Sequence, residues 1–89
     1  MEMRKFKQST DNSDLYVNGS GSLQVIGSRT VVLTTNKGRT PMEFGRPNEV
    51  ANGYFAMVVE EYKELHLYYS DNQGEIEKFY KRNKRKRSR

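Results

Sequence analysis

Eighty-nine residues, 34% of them hydrophobic, with a formal net charge of +5 and no cysteine, describe one small domain with a thin core. The missing cysteine excludes disulfides, thiolate zinc sites and cysteine nucleophiles, and favours a reducing compartment: cytoplasmic, or nuclear in a eukaryotic host. The charge is divided along the chain: residues 1–46 are net basic, 47–80 hold seven carboxylates against two lysines, and 81–89 place Lys or Arg at seven of nine positions.

The chain starts with a mixed basic strip, Arg4-Lys5-Phe6-Lys7. It leads into no apolar run, so a secretory leader is not expected, and nothing approaches the roughly 18 apolar residues of a membrane span. Residues 9–14 are wholly polar and predict a loop. Leu15-Tyr16-Val17 is a short β-prone run closed by Asn18-Gly19, a strong turn signal. Leu23–Ile26 and Thr30–Thr35 are the clearest strands, with Leu23 and Val25 on one face, as are Val31 and Leu33. Asn36-Lys37-Gly38 predicts a turn into Arg39–Phe44, where Pro41 lacks an N–H and demands an edge or frayed strand. Gly45–Glu49 predicts a long loop.

Residues 54–69 support two patterns. Phe55, Val58, Val59, Tyr62, Leu65, His66 and Tyr69 form a stripe at helical spacing. Val58-Val59 and Tyr68-Tyr69 favour sheet, with strands pairing around Glu61–Glu64. A further hairpin is expected from Leu65–Tyr69 through Gly74 to Glu75–Tyr80; the competing reading is a C-terminal helix with Ile76, Phe79 and Tyr80 on one face that continues into the tail. The expected fold is mainly β: a small antiparallel sheet or partial barrel of about five or six strands over residues 1–80, followed by a basic tail, 81–89. The alternative is α+β, a three-stranded sheet from 15–44 followed by one or two helices.

No catalytic set emerges, and neither cofactor nor metal is expected. His66 is the single histidine and reads as a sheet or helix residue. The tail carries the strong signal: Lys81, Arg82, Lys84, Arg85, Lys86, Arg87 and Arg89 repel one another, so alone the segment is expected to be disordered or extended, and DNA or RNA phosphate is its natural counterpart. Arg39 and Arg46, each in a Gly/Pro-punctuated stretch, are candidates to assist. The aromatic residues mostly supply the core, but an exposed member can stack a base. The expected function is a non-catalytic nucleic-acid-binding accessory protein. A second expectation is a small interaction module, such as a phage- or plasmid-type inhibitor of a host nucleic-acid enzyme, using Glu60, Glu61 and Glu64 against a basic groove. A third is a small-anion binder with a cleft at Arg39 and Arg46. An open edge near Pro41 would also permit a homodimer.

Overall fold

A computed structural model describes the backbone of residues 1–87 and the side chains of residues 1–83. Eight strands precede one helix: β1 (Glu2–Gln8), β2 (Leu15–Asn18), β3 (Gly21–Ile26), β4 (Thr30–Thr35), β5 (Gly38–Glu43), β6 (Asn48–Ala51), β7 (Tyr54–Glu61), β8 (Glu64–Ser70) and α1 (Gln73–Arg87). The order across the sheet is β5-β4-β3-β2-β1-β8-β7-β6, and every paired neighbour is antiparallel. Because β1 pairs with both β2 and β8, the meander curls round until β5 and β6 meet, an almost closed barrel.

Strand alternation decides what fills it. Phe6, Tyr16, Leu23, Val31, Met42, Val58, Leu65 and Leu67 point inward and form one buried cluster. In so narrow a barrel the side chains themselves occupy the lumen. Gly21 is required where β3 crosses β4, because a Cβ there would collide with the Thr34 carbonyl oxygen. The open seam is closed at one end by Asn48. Its Oδ1 accepts the Glu43 N–H at 3.0 Å, while its Nδ2 donates to the carbonyls of Glu43 (3.0 Å) and Arg46 (2.8 Å). One side chain thus supplies bonds that a strand neighbour would otherwise make. Pro41 lies on β5, a terminal strand of the sheet, as its missing N–H requires.

The mainly β expectation holds, and 54–69 forms two strands. Three details differ. The strip Arg4–Lys7 is a strand, β1, and Asn48–Ala51, partly assigned to a loop, is β6, which raises the strand number to eight. Glu75–Tyr80 is helical rather than the return strand of a hairpin. Ile76, fully buried, packs with Met57 and Val59, and Phe79 and Tyr80 join them, so an outer cluster consumes the helical stripe. Finally, residues 81–87 continue this helix, as the competing helical reading has it, instead of standing extended. Lys and Arg are good helix formers, cations near a helix C-terminus are favoured by its dipole, and the docked first turns remove the nucleation cost.

Candidate nucleic-acid interface

The helix that carries the basic residues is fixed at its start. Asn72 caps it: its Oδ1 accepts the Glu75 N–H at 3.0 Å. The Ser70 hydroxyl lies 2.6 Å from Glu75 Oε1 and accepts the Asn72 N–H at 2.9 Å. The N-terminal ammonium of Met1 stands 3.5 Å from Glu75 Oε2. The Ser70 hydrogen bond, helped by that ammonium, holds the Glu75 carboxyl below its ordinary pKa despite opposing desolvation. β8, the cap and the chain start therefore set where α1 begins. Tyr68 on the outer face of β8 then meets Phe79, ring centres 4.3 Å apart. The Asn83 side-chain amide donates to the Phe79 carbonyl at 3.1 Å and covers the next turn.

Beyond this anchor come Lys81 and Arg82, both exposed, and the helical positions Lys84, Arg85, Lys86 and Arg87. Arg89 lies outside the described residues, as do the side chains of 84–87. Six of the seven consecutive helical positions from Lys81 to Arg87, nearly two turns, are Lys or Arg. Among the described residues the ion pairs are Met1–Glu75 and Arg46–Glu43, with His66–Glu64 a third when the imidazole is protonated; Lys78, Lys81 and Arg82 take part in none.

The other candidates are spread out. Arg39 is exposed within β5, whereas Arg46 lies in the β5–β6 connection, 3.6 Å from Glu43. Four strand residues from Arg39 to Glu43 span about 13 Å, so the two arginines border opposite ends of β5 rather than one cleft. The strip Arg4-Lys5-Lys7 is divided by strand alternation. Arg4 shares the inward parity of Phe6 and turns to the barrel mouth, while Lys5 and Lys7 face outward. Lys5 and Lys7 pair in register with His66 and Glu64 on β8, one strand from the helix dock.

The acidic candidates also separate. Glu61 pairs in register with Glu64 on the outer face, and Glu60 pairs with inward-facing Leu65. Glu64 is engaged locally: its Oε1 lies 2.8 Å from His66 Nε2. That hydrogen bond, with the charges of Lys5 and Lys7, keeps its carboxyl below the ordinary pKa. His66 is thus part of a charged outer patch. Among the described residues no group of three or more His, Asp or Glu side chains could hold a metal ion, and no helix is long and apolar enough to cross a membrane.

Of the aromatic residues, Tyr68, Phe79, Tyr80 and Phe55 are claimed by the outer cluster, and Tyr69 by the inner one. The pair Tyr68-Tyr69 leaves neither ring fully open, because α1 covers the outward one. Tyr62, 85% exposed at the tip of the β7–β8 turn, and Tyr54 at the start of β7 are the aromatic side chains left to solvent. Sequence reasoning missed one grouping: Arg4, Lys37, Tyr54 and Tyr69, distant in the chain, meet at one end of the barrel. The lysine and arginine were countable, but the closure of β1 onto β8 that gathers them was not. Comparison with known proteins finds no family model, no curated protein and no solved structure that matches this chain.

Proposed function

We propose that this protein is a non-catalytic nucleic-acid-binding accessory protein, which holds the phosphate backbone through the second half of α1. The observation that carries the reading is the continuation of the docked helix through Lys81–Arg87, with Lys81 and Arg82 exposed and outside any ion pair. Like charges at i, i+4, such as Lys81/Arg85 and Arg82/Lys86, oppose the isolated helix. A polyanion relieves that repulsion and gains released counterions. Lys5 and Lys7 lie on the outer face of β1 beside β8, where Glu64 offsets part of their charge, so the helix carries the main positive surface. Among the described residues nothing resembles a base-reading motif, so weak sequence dependence with dominant backbone contacts is expected.

The inhibitor reading has less support, because Glu60 faces away from Glu61 and Glu64, and Glu64 is already engaged with His66. The anion-cleft reading loses its geometry with the separation of Arg39 from Arg46. The test is fluorescence anisotropy with labelled duplex DNA, single-stranded DNA and RNA oligonucleotides of mixed sequence. The full chain is compared with the variant K81Q/R82Q/R85Q. Binding of at least one oligonucleotide class, weakened about tenfold or more in the variant at unchanged thermal stability, is expected. Equal binding by both proteins, or binding by neither, would overturn the proposal.

A further inference from the structure

One end of the barrel is open, and its construction differs from that of the basic helix. The cavity there measures about 370 Å³, within the usual range for small-ligand sites. It is floored by apolar side chains of three strands, Leu33 of β4, Val50 of β6 and Met42 of β5. Its rim carries Arg4, Lys37, Tyr54 and Tyr69, with one carboxylate, Glu2. The Tyr54 and Tyr69 rings stack with centres 5.7 Å apart at 24°, and the Arg4 guanidinium carbon lies 5.6 Å from the Tyr69 ring centre. Arg4 is held above the cavity by that ring and by β1, and among the described residues neither it nor Lys37 is in an ion pair.

These features divide the labour of ligand recognition. An apolar floor lowers the free energy of a buried hydrocarbon surface, a tyrosine wall favours a flat one, and two unpaired cations on the rim favour an anionic end left near water. We propose that this mouth is a binding site for a small organic monoanion with a flat apolar body, of the aryl carboxylate or aryl sulfonate class. The body lies over Leu33 and Val50 beside Tyr54, and the anionic group meets Arg4 and Lys37. Glu2 on the same rim disfavours dianions relative to monoanions. The site is independent of α1 and goes beyond the nucleic-acid reading.

The experiment titrates the full chain with naphthalene-2-sulfonate and, in parallel, with the neutral naphthalene-2-sulfonamide, followed by amide chemical shifts. Saturable shifts centred on Leu33, Val50, Tyr54 and Tyr69 are expected for the sulfonate. In R4Q/K37Q the sulfonate should weaken about tenfold and the sulfonamide by less than about twofold, since charge-assisted bonds are the stronger kind. Shifts centred on α1 or the outer sheet, no saturation in the millimolar range, or equal weakening of both compounds would each overturn the assignment.

Discussion

Replacing Ile76 with alanine tests the joint between barrel and helix. Ile76 is fully buried against Met57 and Val59, with Phe55, Tyr68, Phe79 and Tyr80 packed round the same cluster. The substitution removes three carbon groups, about 2.4 kcal/mol of transfer free energy at about 0.8 each. The cavity left between α1 and β7 adds to this, so a loss of about 3–4 kcal/mol is expected. Alanine's higher helix propensity returns at most about 0.7 kcal/mol. For a domain of this size each kcal/mol shifts Tm by about 4–8 °C, so a fall of at least about 10 °C follows. Urea titration followed by circular dichroism measures the loss, and amide exchange along Ile76–Asn83 shows whether the helix opens first. A loss below about 1 kcal/mol, with protection of α1 unchanged, would refute the docking on which the placement of the basic residues depends.

Asn48→Ala removes two hydrogen bonds that tie β6 to Glu43 at the end of β5 and a third to Arg46 in the connection. It should cost about 1–3 kcal/mol and speed amide exchange at Glu43 before any residue of β1 or β8; unchanged Glu43 exchange would contradict this. Acid should weaken the fold through Glu64 and Glu75, whose pKa values lie below the ordinary 4.5, the first through His66 and the second through Ser70. A carboxyl lowered on folding contributes stability that is fully present above 4.5 and is lost as pH falls through the lowered folded value. Urea midpoints should therefore drop below that pH, and Glu64→Gln combined with Glu75→Gln should flatten the dependence; an unaltered slope would count against both contacts.

The legible parts of the fold were those where one physical demand acted alone. Leu23/Val25 and Val31/Leu33 alternate because their shared face lines the lumen, and Pro41 marks the sheet's end because it lacks a donor. β7 was ambiguous for a structural reason. Ala56–Val59 is buried on both faces, by the lumen and by α1, which erases the alternation of a half-buried strand and imitates a helical stripe. β1 hid for the opposite reason: Phe6 is its single buried residue, and the rest is charged, polar or exposed. The helix at Gln73–Arg87 was visible as Ile76, Phe79 and Tyr80, but its choice over a strand needed the uncovered outer face of β7 and β8 to receive it. For the site, the basic run was plain in the sequence. The mouth grouping of Arg4 and Lys37 with Tyr54 and Tyr69 depends on sheet closure, a long-range property that no local pattern encodes.

The central claim is that the cations of α1 face phosphate, and the salt dependence of binding measures it most directly. Each phosphate neutralised on duplex DNA contributes about −0.9 to the slope of log K against log salt concentration. With roughly half to two-thirds of the six helical cations on the bound side, a slope of about −3 to −4 is expected for the full chain, falling toward −1 in K81Q/R82Q/R85Q. A slope near zero, or one that the triple substitution leaves unchanged, would contradict the account.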